Sequence, residues 1–198
     1  LFLSNNNLSG KMLAYLLRNL QPAVKDQVRS LILSDNNEFT EESLTVLLED
    51  YLVKKGPTSL LELRLVDVKV SDQKSIFNLL TNVLKDIRLQ TLALSKVRLE
   101  DRNVGLLCKI IDAGMPCLKN IDISWNKIST RLMKELFVAL RPSQYIRNLN
   151  VAFNPVSSTD KLKELGMFIK QNTSLHHLDL SGVLQTAAQV QRVVKKTK

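Results

Sequence analysis

Residues 118–128, LKNIDISWNKI, place Leu118, Ile121, Ile123, Asn126 and Ile128 in an order that only one kind of local structure satisfies. Residues two apart on a strand share a face, so Ile121 and Ile123 enter a core while Asn120, Asp122 and Ser124 point the other way. Asn126 follows three residues after the second aliphatic, where the chain must leave the strand. Its amide can bond the backbone groups that such a turn exposes, and a stack of these turns would join them into a ladder.

The same core recurs along the whole chain, starting at Leu1, Leu31, Leu63, Leu92, Ile121, Leu149 and Leu178, with successive separations of 30, 32, 29, 29, 28 and 29 residues. So regular a period means that one unit is stacked on copies of itself. Val28, Leu60, Leu89, Leu118, Ile146 and Leu175 supply the aliphatic three residues ahead of each later core. Asn6, Asn36, Asn126 and Asn154 occupy the ladder position, and Leu8, Ile128 and Val156 follow two residues on. Val68, Val97 and Val183 replace the Asn in the third, fourth and seventh units. Valine packs but cannot bond, so the ladder should be interrupted there and those turns less regular.

This pattern, L-x-x-L-x-L-x-x-N-x-L, resembles the leucine-rich repeat family over nearly the whole chain. Between the cores the hydrophobic period changes from two to about 3.6. Met12, Leu13, Leu16, Leu17 and Leu20 form one stripe, and Leu44, Leu47, Leu48 and Tyr51 the next. Ile76, Leu79, Leu80 and Val83 follow, then Val104, Leu107 and Ile111, then Leu132, Leu136 and Leu140, then Leu162, Leu165, Phe168 and Ile169. Ser9, Thr40, Ser71, Ser129 and Ser157 stand near the helix starts, where a hydroxyl caps free N–H groups. A helix in every unit makes the chain similar to the ribonuclease-inhibitor-like subtype. That resemblance implies an α/β leucine-rich repeat solenoid, a horseshoe of about seven repeats with a parallel sheet on the concave face and helices on the convex face, joined by right-handed connections. The extra length of the second unit falls at Lys54-Lys55-Gly56-Pro57, where Gly-Pro makes a loop.

The expected organisation is one repeat domain over 1–198, with 185–198 as a basic terminal helix or tail. The first core lacks the preceding aliphatic and any polar cap, and a solenoid end of that kind exposes apolar surface. The chain is therefore expected to be a piece of a longer one.

Composition narrows the class. The chain has 198 residues, 44% of them hydrophobic, which suits a folded domain. No apolar run approaches the ~18 residues of a membrane span, and no basic segment leads into an apolar core at the start, so a cytoplasmic protein is expected. Cys108 and Cys117 read as small core residues rather than a disulfide. The sequons at Asn7 and Asn172 are too short a pattern to alter that reading. The net charge of +9 draws four of its charges from Arg192, Lys195, Lys196 and Lys198. It fits either solvated outer helices or attraction to acidic partners. The stretch from Gln189 to Lys198 is either an anion-docking segment or a frayed helix.

No catalytic chemistry emerges. His177, Asp179 and Ser181 alternate on one strand, but four residues of strand span roughly 13 Å, which puts Ser181 beyond reach of His177 with the acid between them. His176 and His177, the only histidines, form no zinc-ligand spacing with the cysteines, and the six glycines form no phosphate loop. No enzyme activity, cofactor, metal, small-molecule substrate or specific nucleic acid is expected.

The inner strand face remains. Its outward positions run Ser30, Ile32, Ser34; Glu62, Arg64, Val66; Thr91, Ala93, Ser95; Asn120, Asp122, Ser124; Asn148, Asn150, Ala152; His177, Asp179, Ser181. In the last three strands Asn120, Asp122, Asn148, Asn150, His177 and Asp179 fall side by side as one polar patch, with Trp125 and Phe153 on its rim. Aromatics beside a polar patch are what binding hot spots are made of. These eight residues are the candidate partner-binding site. A solvated strand face with tolerated bulky rim residues gives the same pattern without a partner.

The resemblance implies a non-enzymatic protein-interaction scaffold in a larger cytoplasmic, cytoskeletal or ciliary assembly, where a basic solenoid would sit near acidic tubulin. It also admits a GTPase regulator of the Ran GTPase-activating type, although those proteins are generally acidic. A third expectation, the ligand-sensing repeat domain of an innate-immune receptor, requires a nucleotide-binding domain ahead of Leu1.

Overall fold

A computed structural model of the chain describes residues 1–20, 27–36, 39, 60–70, 74, 76, 88–99, 101–112, 117–154 and 162–184. The six cores from Leu31 onward become three-residue strands: β1 (Ser30–Ile32), β2 (Glu62–Arg64), β3 (Thr91–Ala93), β4 (Asn120–Asp122), β5 (Asn148–Asn150) and β6 (His177–Asp179). They form one parallel sheet in chain order. Register follows sequence phase, with Leu31, Leu63, Leu92, Ile121, Leu149 and Leu178 paired in succession along one row. The first core departs from the expected seventh strand, since it contributes a single bridge between Phe2 and Ile32.

Four helices lie among the described residues: α1 (Gly10–Asn19), α2 (Asp101–Asp112), α3 (Thr130–Leu140) and α4 (Leu162–Gln171). Ser9 and Ser129 cap α1 and α3 by accepting from the Met12 and Leu132 amides, each at 3.4 Å. The stripes Val104, Leu107, Ile111 and Leu132, Leu136, Leu140 are buried as expected, with Leu165 and Phe168 of α4. They join the row of strand aliphatics in one core. Helix α3 packs between α2 and α4, and Phe137 stacks on Phe168 at a centroid separation of 5.5 Å. Met12 departs from its stripe. It is exposed, and Ala14 takes the inward place beside Leu13 and Leu17.

The Asn ladder is present. Asn36 Oδ1 accepts from the Asn6 and Leu8 amides, Asn126 Oδ1 from Val97 and Leu99, and Asn154 Oδ1 from Asn126 and Ile128, all within 3.0–3.2 Å. Each Asn therefore satisfies the turn of the unit before it while its own Nδ2 holds carbonyls of both units, as Asn126 does with Leu94 and Ile123.

The expectation of irregular turns at the valine units is corrected. A left-handed residue precedes each of the seven ladder positions, at Asn5, Asp35, Asp67, Lys96, Trp125, Phe153 and Gly182. Val68, Val97 and Val183 are fully buried in those turns. The acceptor for a turn comes from the following unit, so Val97 keeps its amide bonded to Asn126, and the turns at Asn36 and Val68, which are followed by valine, hold the left-handed residue without that bond.

A second polar knot joins the helix-end loops of units five and six. Asn172 donates to the carbonyls of Leu140 and Ser143, and buried Ser174 donates to Ile146 O at 2.9 Å. Neither cysteine forms a disulfide; Cys108 lies in the core and Cys117 is only half-buried in the turn ahead of β4, contrary to its expected core position. No described helix is long and apolar enough to cross a membrane. The expected stripes at Leu44–Tyr51 and Leu79–Val83, the caps Thr40, Ser71 and Ser157, the loop at 54–57, Val156 and the tail 185–198 lie outside the described residues.

Candidate functional site

Strands β4, β5 and β6 turn their middle residue toward the core and their first and third residues to the open face of the sheet, which produces two parallel rows. In the first row Asn120, Asn148 and His177 are adjacent in register. Asn148 Nδ2 donates to Asn120 Oδ1 at 2.5 Å, and Asn120 Nδ2 donates to Thr91 Oγ1 at 2.7 Å. The amides thus orient one another across three strands, and the chain of bonds ends at exposed Asn148, beside exposed His177 in the register.

The second row, Asp122, Asn150 and Asp179, has a job in its own turns. Asp122 Oδ1 accepts from the Ser124 amide at 3.0 Å, Asn150 Oδ1 from Ala152 and Asp179 Oδ1 from Ser181. This is the local carboxylate or amide turn that Asp and Asn favour. The bond from the Ser181 hydroxyl, then the one from its backbone N–H, holds the Asp179 carboxyl below the usual range. Asp179 is therefore engaged by Ser181, two residues on, as the strand spacing required.

Five positions counted as outward are buried instead: Ser34, Ala93, Ser95, Ser124 and Ala152. The small side chains sit where the chain bends from strand into turn, and Ser95 and Ser124 share a buried hydroxyl–hydroxyl bond at 2.8 Å. On the other half of the sheet, Glu62 accepts from Ser30 Oγ and from Arg64 Nε, both at 2.6 Å. These bonds, Ser30's first, lower the Glu62 carboxyl from its ordinary value. That cluster has no counterpart in the sequence reading, because its partners are 32 residues apart and meet only through strand register.

Trp125 and Phe153 occupy the same place in consecutive turns and stack with centroids 3.9 Å apart and planes 20° from parallel. They remain 52% and 40% exposed, so the pair is a ledge on the rim and not part of the core. Both lie in the left-handed region, at φ 59° and 55°. That conformation costs a bulky residue about 1–3 kcal/mol, whereas Asn and Asp adopt it readily. The next turn carries Gly182 at φ 67°, and a Cβ there would stand 2.8 Å from the Phe153 ring. Glycine lets Phe153 lie flat across its neighbour, which keeps the ledge planar.

No protein-family model and no curated protein matches this sequence. Solved structures that share its fold include the following two. One is described as leiomodin-1 actin-binding site 2, with a TM-score of 0.55 and 15% identity over 79% of this chain and 86% of that one. The other is a tropomodulin C-terminal domain from Caenorhabditis elegans, with a TM-score of 0.57 and 13% identity over 95% of this chain and 90% of that one. At such identities the likeness concerns the fold: an α/β, leucine-rich-repeat-like chain with a parallel sheet.

Proposed function

We propose that this chain is a non-enzymatic protein-interaction module of a cytoskeletal assembly in the cytoplasm. Its repeats form a horseshoe of the ribonuclease-inhibitor-like type with seven units over 1–198. The partner docks on the Trp125–Phe153 ledge and the polar patch beside it, formed by Asn120, Asp122, Asn148, Asn150, His177 and Asp179. The observation that carries this reading is the ledge: two exposed aromatics stacked in a backbone conformation that aromatics rarely adopt. Strain of that kind concentrates where a surface has work to do, and exposed aromatics are the usual anchors of interfaces.

The cytoskeletal assignment is supported by the shared fold with a domain described as an actin-binding site. Actin is accordingly the first partner to test, and tubulin, favoured only by the charge of +9, is the second. The test is co-sedimentation of the purified chain with actin filaments and with microtubules at low and moderate salt. Trp125→Ala with Phe153→Ala should weaken the interaction about 30-fold or more, as a central hot spot does. Asn148→Lys with His177→Lys probes the exposed end of the patch cleanly, because Asp122 and Asn150 also hold turns. Absence of binding to both filaments at both salts refutes the cytoskeletal reading, and full binding by both double variants moves the interface elsewhere.

A further inference from the structure

Beside the ledge, a groove of about 820 Å³ crosses three successive strand-to-helix turns, and Trp125 lines it whereas Phe153 does not. Its walls carry Lys69, Lys96, Arg98 and Lys127 against a single carboxylate among the described residues, Asp67. Lys69, Arg98 and Lys127 occupy equivalent positions in consecutive units, all exposed, and none of their side chains has a hydrogen-bonding or ionic partner among the described residues. Lys96 pairs with Asp67. Buried Val68 and Val97, the residues that replace the ladder Asn, lie in the same groove and give it apolar lining.

Backbone strain gathers at the same place. Nine non-glycine residues among those described are left-handed, and the four at Asn5, Asn7, Asp35 and Asp67 are of the types that tolerate it. The other five, Lys96, Arg98, Trp125, Lys127 and Phe153, are consecutive members of the groove and the ledge.

From this geometry we infer that the groove is a docking site for an acidic, extended segment of a partner protein, one that sets carboxylates against Lys69, Arg98 and Lys127 and an apolar side chain against Trp125. Neighbouring strands are about 4.8 Å apart, so the three cations span roughly 10 Å, the length of about three extended residues. A single phosphate covers only one of them. A phosphodiester backbone meets the charges but brings no apolar group for Val70 and Trp125, whereas a peptide sets an apolar side chain among its carboxylates. The apolar lining equally suits side chains of a peptide.

This site shares only Trp125 with the proposed filament interface, and it stands or falls separately. The probe is a fluorescein-labelled heptapeptide of glutamates with a central leucine, followed by anisotropy at low and moderate salt. Trp125, the only tryptophan in the chain, reports on the groove through its own emission. Binding should shift that emission and weaken as salt screens the exposed charges. The triple variant Lys69→Glu, Arg98→Glu, Lys127→Glu should bind about tenfold more weakly or worse, with unchanged circular dichroism. Asp67→Asn, which frees Lys96, should bind several-fold more tightly, a gain that misfolding cannot produce. Failure of the peptide to bind at low salt, equal binding by the triple variant, or no effect on Trp125 overturns the inference. So does preference for an oligo(dT) strand or phosphatidylserine vesicles over the peptide.

Discussion

Asn126→Val tests whether the ladder is a source of stability or an ornament of the turns, since the chain itself places valine at the equivalent positions 68 and 97. Asn126 is 5% exposed and bonds the Val97 and Leu99 amides, each at 3.1 Å, while its Nδ2 donates to Leu94, Ile123 and Ser124. Valine is similar in size, so packing changes little. Two buried amides lose their acceptor, at about 1–3 kcal/mol each. The Ile123 carbonyl keeps a donor in Asn154. Burying an apolar side chain in place of an amide returns about 1–2 kcal/mol. The net expectation is a loss of about 3 kcal/mol, read from urea denaturation. Native-state hydrogen exchange adds the location: protection of Val97 and Leu99 should fall on the order of 100-fold. A loss under about 1 kcal/mol, or exchange that rises evenly through α3, refutes the assignment of those bonds as the energetic content of the ladder.

The reverse change, Val97→Asn, places an acceptor opposite the Val68 and Val70 amides in a turn already of the right conformation. It should cost less than about 1 kcal/mol in denaturation, where an unpartnered buried amide costs about 1–3 kcal/mol. Gly182→Ala should destabilise by about 1–3 kcal/mol, since it strains φ 67° and presses on Phe153, and the Trp125 emission should shift with the displaced stack. Unchanged emission would mean that the ledge does not depend on the glycine. Glu62 and Asp179 both titrate below their ordinary values of 4.5 and 3.8. Their contribution to stability is complete above those values and is lost as pH falls through the lower folded-state values. Glu62→Gln should therefore lower stability at neutral pH and flatten the acid limb below 4.5 in thermal melts across pH; an unaltered limb excludes the Ser30–Glu62–Arg64 cluster as its source.

Much of the site could be located from the sequence because the strand period is two and the unit length is nearly constant. Those two regularities put Asn120, Asn148 and His177 in one row and Asp122, Asn150 and Asp179 in the other. They also brought Trp125 and Phe153 to the same rim. What they could not reveal is how each side chain spends its bonds. Asp122, Asn150 and Asp179 look equivalent to Asn148 in a list of outward residues, yet they turn back to their own backbones while Asn148 reaches across to Asn120. Ser95 and Ser124, counted as part of the surface, are buried because the chain bends over them.

The sequence by itself determined the parallel order of the sheet, the register and the inward row of aliphatics, since a repeated core can bury its face only by stacking on its own copies. It also indicated the ladder, although not its direction. Tertiary structure decided that each Asn serves the unit before it, and so decided that Val97 keeps the acceptor of its own turn in Asn126. It decided, too, that the basic residues at 69, 96, 98 and 127 share a groove with Trp125. Those positions are 27 or more residues apart between units 3, 4 and 5, and only the stacking distance of about 4.8 Å turns them into one surface.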